Sequence, residues 1–376
     1  MRFGIRPKRV LPRVTVVVPV YDVERWLPES LDSVLGQSGV DLDVVVVDDG
    51  SPDGSGAIAD AYAARDHRVR VLHVPNGGLG SARNIGAERV QGEYLGFLDS
   101  DDVLPAGALS RLARRLDETG SDFVTGSVAR WEWDGLHEPP WMARLHREPL
   151  TGITARDHPE ILGDVFAWNK LFRTSFWRAQ GLERPEGVRY EDQPTTTRAF
   201  LAGTFDVVPE VVYHWRIRQD GTSITQQRAS TTDLRDRWRT KRMALDAVQE
   251  YDDPATSAYF VDRVMAGDLH RYFVEVPGAS DEWWQLLVAG IHDLWGDRSL
   301  VHSGLPPVHR LVGWLVEQER RADAESVVRW LATLDGPAPR EGDHLVVPPS
   351  VLDVSGVDPP ALALRDFEQT PPHRAS

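Results

Sequence analysis

Three carboxylates directly follow a short apolar run in the stretch Tyr94-Leu-Gly-Phe-Leu-Asp99-Ser-Asp101-Asp102. Such a run, bounded by turn-forming residues, is typical of a strand covered on both faces, and ligands of open α/β sheets bind where strands end. Carboxylates this close repel one another unless a positive charge lies between them. Mg²⁺ or Mn²⁺, which prefer oxygen ligands, would supply that charge and bridge two phosphates. Taken alone, the stretch is equally compatible with a structural alternative to a metal site, namely a turn in which one Asp caps a helix that starts near Pro105.

A second carboxylate pair, Glu191-Asp192, lies further along the chain. One carboxylate is enough to act as a general base that removes a proton from an attacking hydroxyl. The pair also fits a helix start with acidic residues in its first turn, and the two interpretations are compatible. Arg216 and Arg218 are two residues apart, so on a strand both side chains would share one face, where guanidinium groups suit phosphate oxygens.

Apolar runs and helical periodicities alternate over the first hundred residues and would position these groups. Strands are predicted at 14–18, 43–47, 69–74 and 94–98, with a helix between each pair. This alternation predicts an α/β fold with a mostly parallel sheet and right-handed crossovers. Because each predicted strand ends in polar or turn-forming residues, the four ends would line one edge of the sheet and form a nucleotide-binding crevice.

The glycine-rich stretch Gly77-Gly-Leu-Gly80 does not make this chain a dinucleotide-binding enzyme. Arg83 occupies the position of the third glycine of that fingerprint, and the stretch follows the third predicted strand instead of the first. The chain has no Walker sequence, and no glycine-rich basic loop follows the first strand. NAD enzymes, P-loop enzymes and sugar-nucleotide pyrophosphorylases therefore fit poorly.

Four stretches together resemble the family 2 glycosyltransferases, in the order and spacing of that family. They are Val14-Thr-Val-Val-Val-Pro19-Val-Tyr21, Val47-Asp48-Asp49-Gly50-Ser51, Gly80-Ser-Ala-Arg83-Asn84-Ile-Gly86 and Phe97-Leu-Asp99-Ser-Asp101-Asp102. The resemblance covers about residues 12 to 225. It implies a GT-A fold, which is a Rossmann-like, mostly parallel nucleotide-binding sheet with helices on both faces, and inverting transfer from a nucleotide sugar.

The resemblance also implies roles for single residues on the donor side. Tyr21 and Asp48 would contact the base and Asp99 the ribose, and Pro19 and Ser100 are further donor-binding candidates. Asp101 would hold a divalent metal, Mn²⁺ or Mg²⁺, that bridges the diphosphate. His214 is either a further metal ligand or a packed histidine. These roles agree with the chemistry, because a bound cation stabilises the charge of a leaving diphosphate.

Further roles concern the binding of the diphosphate and the general base that accepts the proton of the acceptor hydroxyl. The resemblance places Arg216 and Arg218 in a basic segment that closes on the donor diphosphate. Ser223 lies in a Gly-Thr-Ser stretch of the same segment and either donates a hydrogen bond to phosphate or simply forms a turn. Arg83 either pairs with that diphosphate or is solvated in the first turn of a helix, where the helix dipole disfavours a cation. The resemblance implies that Asp192 is the general base and that Glu191 is a supporting or acceptor-binding residue. The reverse assignment stays open.

The whole chain is expected to divide into four parts. They are a flexible basic leader (1–12), the GT-A catalytic domain (13–228), a mainly α-helical C-terminal region (229–340), and a short Val-rich segment with a disordered tail (341–376). Residues 131 to 150 are expected to form a loop, and Trp131, Trp133 and Trp141 either stack on a sugar or pack in a core. Apolar stripes at helical spacing predict four helices after residue 228.

Composition limits the partners. The formal net charge of −15 argues against a general nucleic-acid binder, and the lack of cysteine excludes disulfides and thiolate metal sites. No run of 18 apolar residues and no secretory signal are found. We expect a cytoplasmic enzyme, with the basic leader either solvated or in peripheral contact with the inner membrane face.

The expected substrates are a UDP-sugar and a cell-surface polymer or lipid-linked glycan, wall teichoic acid being a special case. This acceptor rests on family tendency. A transferase acting on a small soluble metabolite and a non-catalytic nucleotide-sugar-binding protein are the alternatives. The helical region is a candidate for acceptor positioning or homo-oligomer formation.

Overall fold

A computed structural model describes residues 11–218 and 228–369 of the chain. Two compact units are distinguished, Met1–Asp220 and Gly221–Ser376. The flexible leader predicted at residues 1–12 lies largely outside the described residues, as does the end of the tail, and Ser223 is also outside them.

The first unit is an α/β domain in which nine strands of the described segments form one sheet. The strands are β1 Arg13–Val20, β2 Asp41–Asp48, β3 Val69–His73, β4 Tyr94–Phe97, β5 Phe123–Glu132, β6 Gly135–His137, β7 Leu150–Ile153, β8 Lys170–Arg173 and β9 Phe205–Arg216. Their order is β3-β2-β1-β4-β8-β5-β9-β7, with β6 paired to β5 outside this path. Strands β1 to β4 are mutually parallel, as predicted, and β8 runs against both β4 and β5.

Helices connect these strands and pack on the sheet. They are α1 Leu27–Leu35, α2 Ser55–Arg65, α3 Leu79–Glu88, α4 Ala108–Thr119, α5 Pro140–Leu145, α6 Thr174–Ala179 and α7 Asp192–Ala202, and a short 3-10 helix covers Pro159–Gly163. The central strands β1 and β4 are mostly apolar because they are covered on both faces: β4 and all of β1 after Arg13 are buried.

The expected loop at residues 131–150 was wrong, since this segment contains β6 and α5. The β5–β6 hairpin turns through Trp133-Asp134. Gly135, the first residue of β6, has φ of 135°, a conformation that favours glycine. Helix α5 has Pro140 in its first turn, where a missing N–H costs nothing. Both signals are present in the sequence.

The alternative interpretation of the acidic stretch, in which one Asp caps the following helix, does not hold. Helix α4 begins at Ala108, its N-cap is Gly107 in the left-handed region, and no side chain caps it. The carboxylates of Asp99, Asp101 and Asp102 are therefore available for other partners.

The second unit is mainly helical among its described residues. Its elements are α8 Thr231–Glu250, α9 Pro254–Tyr259, α10 His270–Phe273, α11 Asp281–Trp295, α12 Pro307–Glu317, α13 Arg321–Leu331, α14 Pro359–Leu362, α15 Asp366–Gln369, β10 Arg340–Glu341 and β11 His344–Leu345. The helix predicted over residues 259–273 is interrupted by a π-helical segment at Phe260–Met265. The fourth predicted helix is two helices in the structure, because Glu319 takes a left-handed φ of 55° between α12 and α13. The Val-rich segment contributes only two residues to a small hairpin with β10.

No helix in residues 11–218 or 228–369 combines the length and apolarity needed to cross a membrane.

Candidate active site

The carboxyl ends of β1, β2 and β4 meet at one edge of the sheet. Val20 pairs in register with Asp48, and Val17 with Phe97, so the residues that follow these strands lie next to one another. Tyr21 at this edge is 49% exposed, whereas Pro19 is buried within β1. The following residue, Asp22, has φ of 54°, a strained conformation of the kind that clusters at functional sites.

A single guanidinium, that of Arg83, joins the two acidic stretches. Its Nη2 lies 2.5 Å from Asp99 Oδ1, and its Nη1 lies 2.5 Å from Glu191 Oε1 and 3.1 Å from Asp192 Oδ1. Arg83 is 1% exposed, which contradicts its interpretation as a solvated helix residue. Its partners here are carboxylates of the protein, and its contact with a donor diphosphate stays a prediction.

The cluster separates the pKa values of the two neighbouring acids. Burial opposes the ionisation of Asp192, but Arg83 and Arg184 outweigh it and lower the pKa of this carboxyl. Burial and the charge of Asp192 raise the pKa of Glu191 to about 7, even though Arg83 opposes the rise. Asp192 is therefore ionised at neutral pH, while Glu191 titrates there.

Arg184 is a member of this cluster that the sequence analysis missed. Its Nε donates to Asp192 Oδ1 at 3.0 Å, and its guanidinium lies 3.9 Å from the centre of the Phe97 ring. Burial lowers the pKa of Arg184, and its two terminal nitrogens are buried without a hydrogen-bond partner in the part of the chain that the structure describes. Arg184 lies in the loop between α6 and α7, and nothing in its sequence surroundings marks it.

Asp101 is held by two arginines at the end of β9, Arg216 in its last position and Arg218 two residues further on. Arg218 Nε donates to Asp101 Oδ2 at 2.7 Å, and Arg216 Nε donates to the Asp101 carbonyl at 2.7 Å. Arg216 also contacts Glu29 at 2.5 Å. The expectation that both arginines lie on one face of a strand was wrong, because β9 ends at Arg216. The two nevertheless meet at the same residue.

Asp102 serves the structure of the same strand end. It accepts hydrogen bonds from Tyr213 Oη at 2.8 Å and from the Arg216 backbone at 2.7 Å. Tyr213 Oη in turn accepts from the Asp99 backbone N–H at 3.1 Å. Burial, with Asp101 and Asp99 nearby, raises the pKa of Asp102 well above its ordinary value. The buried hydroxyl of Tyr213 thus fixes the backbone that carries Asp99 and Asp101.

The donor set at this edge fits a divalent cation held together with substrate phosphates. Among the described residues, no three His, Asp or Glu side chains come close enough to hold a metal alone. Mg²⁺ is usually bound by one or two carboxylates plus substrate phosphates and water, so a single carboxylate at Asp101 suits that mode. Asp101 would have to exchange its contact with Arg218 for the metal.

The remaining predicted residues occupy varied surroundings. Asp48 lies 2.8 Å from His73 Nδ1 and accepts from the Ser51 backbone, so its oxygens already have protein partners. Ser100 is 6% exposed between the two aspartates. His214 lies in β9 and bridges Val103 through its backbone, and burial lowers the pKa of its half-exposed imidazole. Ser223 lies outside the described residues, so its expected donor contact is not described.

Asp49, which follows Asp48 at the end of β2, positions helix α3. Its two carboxylate oxygens accept from the backbone N–H groups of Gly77 and Gly78 at 2.7 and 2.9 Å. Gly78 has φ of 86°, which favours glycine. This contact orients the start of the helix that presents Arg83.

A buried ion pair supports the element Trp168-Asn169-Lys170, which leads into β8. Lys170 Nζ lies 2.9 Å from Asp164 and also donates to the Phe166 carbonyl, and Asp164 accepts from Thr125 at 2.6 Å. Trp168 stacks on Tyr213 with ring centres 4.1 Å apart. The element thereby braces the tyrosine that fixes the acidic strand end. Trp168 is core-like, in contrast to Trp133, which is 83% exposed.

A family model described as glycosyl transferase family 2 matches residues 15–178. Similar curated proteins include the uncharacterized glycosyltransferase EpsJ of Bacillus subtilis, 33% identical over 58% of this chain and 64% of EpsJ. The glycosyltransferase GlyA of Streptococcus pneumoniae is 38% identical over 56% of this chain and 31% of GlyA. The chain thus spans less than two thirds of the length of these relatives.

The poly(ribitol-phosphate) β-N-acetylglucosaminyltransferase TarS of Staphylococcus aureus is 26% identical over 69% of this chain and 44% of TarS. A crystal structure of TarS residues 1–349 with UDP-GlcNAc superposes with a TM-score of 0.68 at 21% identity, covering 85% of this chain and 91% of the TarS chain. At this identity the likeness establishes a shared fold.

Proposed function

From the premise that this chain carries a family 2 glycosyltransferase domain with the GT-A fold, we propose that it transfers a sugar from a UDP-sugar to a hydroxyl of a polymeric acceptor, with inversion at the sugar carbon. One observation carries the proposal: the Arg83 guanidinium joins Asp99, at the end of β4, to Glu191 and Asp192, at the start of α7. The carboxylate proposed to bind the sugar donor and the two candidate general bases therefore share one cation.

In the proposed reaction the acceptor oxygen attacks the sugar C1 while Asp192 takes the hydroxyl proton. The bond from C1 to the diphosphate oxygen breaks, and its electron pair leaves with UDP. Asp192 is half-buried and ionised, so it is available as the proton acceptor. Glu191, whose pKa is about 7, is the second candidate because a base works best near its own pKa.

The arginines and the strand end have separate tasks in this scheme. Asp99 and Asp48 would bind the nucleoside, and Arg216 and Arg218 would bind the diphosphate once Arg218 leaves Asp101. A divalent metal at Asp101 would supply positive charge to the leaving diphosphate. Arg83 and Arg184 hold Asp192 ionised and in place.

The donor and acceptor classes extend what is named for the relatives. TarS is named for poly(ribitol-phosphate), and two of its crystal structures are complexes with UDP-GlcNAc and with UDP. EpsJ is named only as a glycosyltransferase. We therefore assign a UDP-sugar and a hydroxyl-bearing polymer as the substrates of this chain.

Thermal shift of the purified chain tests the donor assignment. UDP, GDP, CDP and dTDP and their common sugars are each added with Mn²⁺ and with EDTA. A ligand at 100 times its Kd adds about 2.7 kcal/mol to the free energy of unfolding, which gives a clear melting shift. We expect uridine ligands to raise the melting temperature and EDTA to reduce this rise. In a separate assay, UDP should be released from the UDP-sugar when acceptor is added. A shift with none of the nucleotides would contradict the proposal.

A further inference from the structure

Asn84, the residue after Arg83 on α3, holds the backbone of Arg184 through both ends of its side-chain amide. Its Nδ2 donates to the Arg184 carbonyl at 2.9 Å, and its Oδ1 accepts from the Arg184 backbone N–H at 2.9 Å. A further contact from Nδ2 to Glu186 is exposed and longer, at 3.3 Å. An amide that satisfies the N–H and the carbonyl of one residue fixes the backbone from which that residue's side chain leaves.

The loop that contains Arg184 is also packed closely on α3 and tied to α7. A Cβ added at Gly80 of α3 would lie 2.6 Å from the Pro185 carbonyl oxygen and 3.4 Å from Glu191 Cγ, so only glycine allows this approach. On the other side, Thr195 of α7 donates its hydroxyl to the Glu183 carbonyl at 2.9 Å. The loop is therefore held between the helix of Asn84 and the helix that begins at the candidate base.

The guanidinium of Arg184 depends on that backbone for its position. It lies 3.9 Å from the centre of the Phe97 ring and 5.4 Å from that of Trp177, which attract a cation but accept no conventional hydrogen bond. Within the described part of the chain, its terminal nitrogens have no hydrogen-bond partner, and its Nε donates to Asp192 at 3.0 Å. The backbone position that Asn84 fixes therefore decides whether Nε reaches Asp192.

The Asp192 carboxyl is surrounded by charged groups of both signs, namely Arg83 on α3, Arg184 in the loop, Lys170 on β8, Asp99 after β4 and the neighbouring Glu191. Burial raises the pKa of Asp192, but Arg83 and Arg184 outweigh it and lower the pKa overall. A displaced Arg184 would leave the negative neighbours in place and remove part of the positive charge that stabilises the carboxylate.

Resting on the proposed function, in which Asp192 takes the proton of the acceptor hydroxyl, we infer that Asn84 is a positioning residue for this base and acts on it through Arg184. Helix α3 then brings two cations to one carboxylate. Arg83 contacts Asp192 directly, and Arg184 is held against it by the Asn84 amide. An amide that only stabilised the loop would leave the titration of Asp192 unchanged.

The test is a double-mutant cycle of Asn84→Ala and Arg184→Met in the full chain. Turnover is measured across pH as the release of UDP from UDP-GlcNAc and from UDP-glucose, with water as the acceptor. We expect Asn84→Ala to lower turnover about three- to fivefold and to move the acidic limb of the pH–rate profile to higher pH, with UDP affinity unchanged. In the Arg184→Met background, the same substitution should change neither turnover nor the acidic limb.

Glu186→Ala is the matched control. It removes the exposed contact of Asn84 and leaves both hydrogen bonds to the Arg184 backbone, so it should behave as the unchanged chain does.

A second measurement follows Asp192 without turnover. Carboxyl NMR of the chain with isotope-labelled aspartate side chains gives the titration midpoint of Asp192, whose signal is identified by its loss in Asp192→Asn. We expect the midpoint to rise in Asn84→Ala and in Arg184→Met and to stay the same in Glu186→Ala. Since this titration needs neither donor nor acceptor, its result does not depend on the proposed reaction.

Three outcomes overturn the inference: an unchanged Asp192 midpoint in Asn84→Ala, an equal change in Glu186→Ala, and an effect of Asn84→Ala that persists in full in the Arg184→Met background. The two proposals fail separately. If the midpoint moves as expected while no UDP-sugar binds or releases UDP, the proposed function fails and the link from Asn84 to Asp192 stands. If UDP is released and neither the midpoint nor the acidic limb moves in Asn84→Ala, the inference about Asn84 fails alone.

Discussion

Arg184 Nε donates a hydrogen bond to Asp192 Oδ1 at 3.0 Å, and the remaining nitrogens of that guanidinium have no hydrogen-bond partner within residues 11–218 and 228–369. A buried cation that donates to a single carboxylate there contributes mainly to the electrostatics of that carboxylate. Arg184 is therefore a positioning residue for the candidate base.

We predict that Arg184→Met raises the pKa of Asp192, because one of its two neighbouring cations is removed. The acidic limb of the pH–rate profile should move to higher pH, and turnover at neutral pH should fall about tenfold or less, since Arg83 remains. Methionine also removes two buried unpartnered donors, so we expect a small change in melting temperature. Arg198→Gln, an exposed position on α7, is the control. If the acidic limb of the pH–rate profile stays at the same pH in Arg184→Met, Arg184 has a packing role and does not tune the pKa of Asp192.

The pH–rate profile itself identifies the base. A base must be deprotonated, so activity is lost as the pH falls through its pKa. If Asp192 is the base, the acidic limb lies below the ordinary carboxyl range near 4, because its pKa is lowered. If Glu191 is the base, half of the activity is lost near pH 7.

Substitution of the two acids checks the same assignment. Asp192→Asn should cost at least about a hundredfold in turnover and leave UDP affinity intact. Glu191→Gln is the matched variant on the neighbouring residue and should cost less. A larger loss in Glu191→Gln, together with an acidic limb near pH 7, would reverse the two roles.

Asp101→Asn tests the metal assignment by binding alone. We expect UDP affinity to become independent of Mn²⁺, because the carboxylate that would hold the cation is gone. Asp41→Asn, at the opposite end of β2, is the control and should keep the dependence. Metal-dependent UDP binding that survives in Asp101→Asn would place the cation elsewhere. Direct Mn²⁺ titration in the presence of UDP gives a second readout.

Tyr213→Phe removes a buried hydroxyl that serves both the Asp99 backbone and Asp102. The unpaired groups left behind should cost about 1 to 3 kcal/mol in the free energy of unfolding. UDP affinity should fall as well, because the strand end loses its anchor. Tyr94→Phe, which removes a buried hydroxyl from Asp117, should also lower stability but leave UDP affinity unchanged. Equal effects of the two variants on UDP affinity would contradict the anchoring role.

The sequence determined the order of strands and helices through β4, and with it the edge where Tyr21, Asp48, Asp99 and Asp101 come together. Apolar runs that end in polar residues are local signals, and parallel strands place such ends side by side whatever the details of packing. The family resemblance rests on those same local stretches.

Only the tertiary structure decided which charges pair. Arg83 with Asp99, Glu191 and Asp192, Arg184 with Asp192, and Arg218 with Asp101 are contacts between residues on different elements or loops. Sequence spacing does not encode such contacts, because the local sequence around a charged loop residue does not indicate whether that residue is solvated or buried against a partner. The pKa values of the acids and the anchoring hydroxyl of Tyr213 depend on burial and distance, which exist only once the chain has folded.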